Sequence, residues 1–353
     1  MSAQPDSIPA TRALPRVLGF LPRGLVHSLI AVAVGIAICF AIILAVADDP
    51  AIAFRSFVLG TFSSRYTFGS MIAIATVLAL TALSAASGFR AGAFNIGIEG
   101  QLVLGGLAAA VTAQHSGIGG IAGQLAALLA ATLVGALWIA IPAWLRVRYR
   151  TNEILTTLMF NYIAADLALF LVNAYFRDRT SGAVETPPLD PSLWLTRILP
   201  PSAANVGMFL VIALGVGLWV LFDRTRTGKR MEAVGLQPAF AEYLGIRSSR
   251  YLFLSMVGSG ALAGLGGGIA VLGITHAYIS GFSPQYGFLG ITVALIGRLR
   301  PMGILAASLL YSSLVTGATV MQSTSDVPFA LVFILQGALI LLITSQRFGK
   351  GNG

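Results

Sequence analysis

Repeated apolar stretches of about 20 residues, divided by short polar or basic breaks, constrain this chain more than any other feature. Stretches of that length each cross the hydrocarbon of a bilayer once as a helix. They fall at 25–47, 68–88, 94–113, 118–145, 153–176, 204–222, 251–273, 286–298, 302–321 and 327–345. The eighth is short for a crossing and reads as a broken or re-entrant helix, packed inside the protein where irregular backbone is tolerated. The chain's balance of side chains agrees: 56% of its 353 residues are hydrophobic and 10% charged. A soluble domain carries about 25% charged residues, so there is too little polar surface here to face water. The 40 glycines fit helices that approach one another closely. The fold class is therefore all-α, a polytopic membrane protein with about ten transmembrane helices.

The basic residues give these spans a direction. With a cytoplasmic N-terminus and ten crossings, only Arg55, Arg65, Arg177, Arg179 and Arg197 of the 22 Lys and Arg lie outside. All the others fall inside, and a nine-span arrangement destroys that asymmetry over half the chain. Both termini are thus expected in the cytoplasm, with a tail at 1–24, a membrane domain at 25–345 and a tail at 346–353. The first apolar run is too long for the core of a cleaved signal and reads as a signal anchor. The net charge of +9 sits in clusters flanking apolar runs, so the expected partner is the lipid bilayer, not nucleic acid. The outer loop 177–203 holds Pro187, Pro188, Pro191, Pro200 and Pro201 around Trp194, with a short interfacial helix expected near Trp194. Residues 50–61 read as a surface-lying amphipathic stretch. The largest inner loop is 223–250.

Two groups of polar residues fall at membrane depth. Asn95, Glu99 and Gln101 open the third span with Gly92, Gly97 and Gly100 among them. A carboxylate here is costly unless paired or hydrogen-bonded. The group reads either as a polar hinge beside a transport path or as a packing knot, with Arg90 a candidate partner for Glu99. On the fifth span Asn161, Tyr162, Asp166 and Asn173 read as a polar stripe facing a cavity, or as a pair with another helix. Catalytic and metal-binding constellations are missing. Cys39 is the single cysteine, and His27, His115 and His276 are far apart at predicted membrane edges. No Gly-x-x-x-x-Gly-Lys-Ser/Thr loop exists. Gly258, Gly260, Gly264 and Gly268 lie in an apolar span and read as a helix-packing face. The inner loop from Gly228 reads as turn, short helix, turn: Pro238 suits a first helical turn and Gly245 a C-terminal stop. Phe240 and Leu244, four apart, would form an apolar ridge that needs a partner.

The string Phe94-Asn-Ile-Gly-Ile-Glu-Gly-Gln101 resembles the signature of ABC importer permeases of the branched-chain amino acid, simple sugar and nucleoside class, and is most similar to the nucleoside-type branch. The segments 151–163 and 286–304 resemble it in the same order. The resemblance implies that the loop helix is a coupling helix seated on an ABC ATPase subunit. Glu232, Ala233, Gly235, Pro238, Phe240, Leu244 and Gly245 would then form the ATPase contact, although Val234 and the glycine spacing depart from the Glu-Ala-Ala…Gly pattern. It further implies a second, non-identical permease subunit, an extracytoplasmic solute-binding protein, and ATP with Mg bound on the ATPase subunits rather than on this chain. The location implied is the bacterial cytoplasmic (inner) membrane, and the solute a nucleoside, with a simple sugar as the alternative. Arg177, Asp178 and Arg179 would dock the binding protein, or form a solvated loop cluster. Asn95, Glu99, Gln101, Asn161 and Asp166 are the candidates for the translocation path or its hinge. A stand-alone, ion-coupled secondary transporter is the competing reading, and Glu99 and Asp166 are its only coupling carboxylates.

Overall fold

The computed structural model describes residues 49–325 and a few single positions between 37 and 47. The tails, the tenth span and almost all of the first, and with them Cys39, His27 and the side on which the termini lie, fall outside the described residues. Within them the chain is helical, and its only β pairing is two isolated bridges, Glu185 with Ile279 and Arg197 with Asn205.

The helices are α1 (Pro50–Leu59), α2 (Arg65–Arg90), α3 (Ile98–His115), α4 (Gly120–Tyr149), α5 (Glu153–Leu171), α6 (Gly207–Arg224), α7 (Arg226–Leu236), α8 (Pro238–Tyr243), α9 (Ser248–Ala270), α10 (Tyr286–Ile296) and α11 (Pro301–Thr324). Among the described residues six are long and apolar enough to cross a membrane: α2, α4, α5, α6, α9 and α11, with α5 and α9 extended by the widened turns Val172–Phe176 and Val271–Thr275. The third expected span is helical but starts only at Ile98, because the residues before it stay unwound. The eighth span is a helix of 11 residues, about 16 Å long at 1.5 Å per residue. That is half of a hydrocarbon core, as the sequence implied. The stretch after Pro50 is helical too, capped by Asp49, and buries Ala53 and Phe57 against Ala318 and Met321 of α11.

Local chemistry sets the ends. Ser64 and Thr67 form a reciprocal capping box at the start of α2. Asn152 accepts the N–H groups of Ile154 and Leu155 to open α5, and Thr225 accepts that of Gly228 to open α7. At the α4–α5 junction Arg146 pairs at 3.0 Å with the buried carboxylate of Glu153.

α9 is the centre of the bundle, packed on α2, α3 and α4. Three of the four glycines that the sequence placed on one face do pack. A Cβ on Gly264 would meet the backbone of Ala131 and Gly135 on α4, one on Gly260 would meet Ile139 and Gly135, and one on Gly268 would meet Ala131 and Leu128. At Gly264 and Gly260 the neighbour is α4 backbone, an approach that only glycine allows, while Gly268 abuts the side chains of Ala131 and Leu128. Gly258 departs from the expectation, since a Cβ there meets nothing within 4 Å.

Candidate functional site

The unwound residues 91–97 enter α3 in the interior of the bundle, and α3, α5 and α9 supply polar groups to them. Asn95 is completely buried. Its amide donates to Gln101 Oε1 at 3.0 Å and to Ser259 Oγ at 2.9 Å, while its Oδ1 accepts from the Gly97 N–H at 2.9 Å. Ser259 on α9 in turn meets Ser84 on α2, Oγ to Oγ, at 2.9 Å. From α5, Asn161 donates to the Ile96 carbonyl at 2.9 Å and accepts from Gly100 N–H at 2.8 Å, and Thr157 accepts from Ile96 N–H at 3.1 Å. Irregular backbone at membrane depth survives because protein groups replace the missing water.

Glu99 completes the junction in a way the sequence did not indicate. Its carboxylate accepts the Gly287 N–H of α10 at 2.6 Å, satisfying a free donor in the first turn of the short helix. Arg90 is not its partner. Arg90 pairs instead with Asp223 at the end of α6, at 3.3 Å, and lies over the Phe222 ring, 4.8 Å from its centroid. Asn95, Glu99, Gln101 and Asn161 thus come together where α2, α3, α5, α9 and α10 meet. Asp166 does not join them. It lies on the exposed face of α5 with Tyr162 and Asn173, while Asn161 points the opposite way. The expected four-residue stripe is therefore split between two faces of one helix.

The inner loop folds as its local signals require. Pro238 opens α8, Gly245 ends it at φ +76°, and the Ile246 N–H returns to the Ala241 carbonyl at 2.9 Å. Phe240 and Leu244 are each more than half exposed. The ridge is larger than the sequence reading, because Leu236 and Tyr243 are over 80% exposed beside them. Glu232 forms only an exposed pair with Lys229, at 3.5 Å, of little energetic weight. Gly235 has a different surrounding: it abuts Arg90 and Gly92, and a Cβ on Gly92 would sit 3.1 Å from Gly235 Cα. The end of α7 thereby touches the unwound entry of α3 directly. Gly92 itself has φ +76°, a second reason for glycine there.

On the opposite end of the bundle the outer loop is laid along residues 272–280. Leu195 N–H donates to Leu272 O at 3.0 Å, Leu189 N–H to His276 O at 2.8 Å, and Thr186 N–H to Tyr278 O at 2.9 Å. A single 3-10 turn, Pro191–Leu193, stands where a short helix near Trp194 was expected. The Trp194 indole stacks on His276 with centroids 3.9 Å apart. Arg197 Nη2 lies 3.1 Å from His276 Nε2 and the ring's Nδ1 lies 3.2 Å from Leu272 O. Because guanidinium only donates, Nε2 accepts and the imidazole is neutral. Burial, and then the Arg197 charge, hold the His276 pKa below its ordinary value. Nothing in the sequence pairs Trp194, Arg197 and His276, which are brought together by the loop's return. Arg177 donates to Asn173 Oδ1 at 3.2 Å, Arg179 is exposed, and the Asp178 carboxylate is held below its usual range by the Thr180 hydroxyl and N–H.

A helical bundle with six helices long and apolar enough to cross a membrane, and an exposed apolar ridge on one loop, is by class a multi-pass membrane protein. Residues 67–344 match the family described as the branched-chain amino acid transport system permease component, and the chain belongs to that family of ABC transporter permeases. It is 32% identical to the glucose ABC transporter permease of Haloferax volcanii, over 86% of this chain and 82% of the relative. It is also 32% identical to the nucleoside ABC transporter permease of Lactococcus lactis subsp. cremoris, over 91% of each. A guanosine ABC transporter permease of Bacillus subtilis is again 32% identical, over 92% of this chain and 95% of the relative.

Proposed function

We propose that this chain is one of two non-identical permease subunits of an ATP-driven importer in a bacterial cytoplasmic membrane, and that its solute is a nucleoside. Ten spans with both termini inside complete the proposed topology. The observation that carries the energy-coupling half is the ridge of Leu236, Phe240, Tyr243 and Leu244, apolar and exposed on an otherwise polar loop and in need of a partner. A separate ATPase subunit, binding ATP and Mg, would seat this ridge. Movement of α7 would then reach the Asn95 junction through the Gly235–Gly92 contact, with Glu99 and α10 moving as a unit. The nucleoside assignment is supported by the nucleoside and guanosine relatives. A simple sugar is the second reading, favoured by the glucose relative of equal identity. An extracytoplasmic binding protein would deliver the solute to the outer loop, where Arg177, Asp178 and Arg179 are accessible. Asp166, exposed at membrane depth on α5, would face the path or the second permease.

Co-reconstitution with candidate ATPase, second permease and binding protein tests this reading. ATP-dependent uptake of radiolabelled guanosine, competed by other nucleosides and not by glucose, is expected. Uptake by the chain alone that stops when an ion gradient is collapsed would overturn it. Phe240→Asp should weaken ATPase association by about 2 kcal/mol, the scale of a buried aromatic anchor, with membrane insertion unchanged. Survival of the complex through purification at wild-type yield would remove the coupling assignment.

A further inference from the structure

The glycine that does not pack, Gly258, opens onto a cleft. Between α6, α7 and α9 lies a groove of about 470 Å³ with almost wholly apolar walls, in the size range of ligand sites, about 300–1,000 Å³. Leu214, Leu218, Leu221, Met231 and Leu262 line it, together with Gly217 of α6 and Gly258 of α9. Neither glycine has any atom within 4 Å of an added Cβ, so the space is open on both sides. Tyr251 forms the end of this groove and also the wall of a second pocket of about 240 Å³, whose other lining residues include Arg230, Arg247 and Arg250. Arg230 donates to the Tyr251 hydroxyl at 3.4 Å. Among the described residues no ion pair involves these three arginines. Of the loop's carboxylates Asp223 is held by Arg90 and Glu232 by Lys229, which leaves Glu242. An apolar slot between membrane helices thus runs into a triply cationic pocket at the membrane's edge.

We infer that this composite site holds one anionic phospholipid of the inner leaflet, its acyl chain in the groove and its phosphate among Arg230, Arg247 and Arg250. The inference rests on the orientation proposed above, which puts this end of α9 at the cytoplasmic surface, where anionic lipids and basic pockets between helices meet. Charge complementarity selects the occupant. A zwitterionic lipid fills the slot equally well but brings no net charge to the arginines. A protein segment would need an apolar tongue ending in an acid to do the same. The lipid would lie against Met231 of α7 and beside α8, so it would brace the loop proposed to meet the ATPase.

The test is native mass spectrometry of the complete transporter from nanodiscs, loaded with phosphatidylglycerol or with phosphatidylcholine of the same chains. One phosphatidylglycerol per copy of this chain is expected to survive delipidation, and phosphatidylcholine to be lost. Arg247→Gln and Arg250→Gln should each lower phosphatidylglycerol retention about fivefold. Gly258→Leu has room for its side chain and should fill the groove, abolishing retention while all three arginines remain. Equal retention of the two lipids, or retention unaffected by Gly258→Leu, overturns the site. So does a photo-crosslinker at Leu254, which also lines the groove, that captures a polypeptide rather than lipid. The readout is mass, not uptake. Loss of the lipid preference with ATP-driven uptake intact refutes this inference alone, and ion-driven uptake with the lipid retained refutes the functional reading alone.

Discussion

α2 and α9 differ from α5 and α6 in surroundings but hardly in hydropathy. In the first pair 78% and 72% of the spanning residues are buried within the chain, in the second pair 22% of each. Mean hydropathy cannot separate them, because lipid tails and protein interior are equally apolar to a side chain. Side-chain size separates them. α9 carries Gly260, Gly264, Gly266, Gly267 and Gly268, and α2 carries Ala79, Ala82, Ser84, Ala85 and Ala86; both are helices that others can approach closely. α5 and α6 present Tyr162, Phe170, Phe209 and Val216 outward instead. The central pair is therefore where volume matters, and the outer pair is where a partner or lipid decides the cost of a change.

Gly264→Leu tests the central side most severely. Its side chain would enter the backbone of α4 at Ala131 and Gly135, and overpacking of this kind costs about 3 kcal/mol or more. Folded yield and thermal stability in detergent should collapse, whereas Gly258→Leu, on the open side of the same helix, should leave both unchanged. Equal behaviour of the two variants would remove the distinction between the faces of α9. Asn95→Ala should come next, at about 2 kcal/mol. It strands the Gln101 amide and the Gly97 N–H in a buried site, and such unmet groups cost about 1–3 kcal/mol. A melting temperature equal to wild type would mean that water replaces the amide, and that the entry to α3 is wetter than its packing implies.

How much of this was legible beforehand follows the same divide. Eight apolar runs between 68 and 321 recur as helices, because length and hydropathy are local properties. Pro238 and Gly245 gave the loop helix its limits for the same reason, since backbone preference needs no neighbour. The polar residues Asn95, Glu99, Gln101 and Asn161 stood out as costly in lipid, and all four lie in one junction. Their partners did not stand out. Ser84, Ser259 and Thr157 are ordinary small residues in apolar helices, and serve the junction only because three separate helices converge there. Arg90 was close to Glu99 in sequence, yet Asp223, 133 residues away, holds it. The Trp194–His276 stack is equally non-local.

Asp166 sharpens the comparison on the outer side. Its exposed place on α5 predicts a stability change within about 0.5 kcal/mol for Asp166→Asn, together with reduced uptake if the face lines the path. Asp166→Leu separates the environments. On a lipid-facing surface it should raise thermal stability, since a charged residue at mid-membrane costs about 2.5–3.5 kcal/mol on insertion scales. The expectation here is no gain in stability and lower uptake.

The smallest effect belongs to the outer loop, laid along the end of α9 at Leu272 and His276. His276 is neutral between Trp194, Arg197 and the Leu272 carbonyl, with its folded pKa below the unfolded value of about 6.5. The folded state then binds fewer protons than the unfolded one, so the cluster's contribution is complete above that pH and is lost as pH falls below it toward the folded pKa. Protonation puts a cation beside Arg197 and removes the acceptor at Nε2. Hydrogen exchange at the Leu189 and Leu195 amides should therefore speed up, after correction for intrinsic pH dependence, as the pH falls below about 6.5. The amides inside α9 should not change. His276→Gln keeps a neutral polar group in place and should flatten the profile; an unchanged profile in that variant would assign the transition to another group.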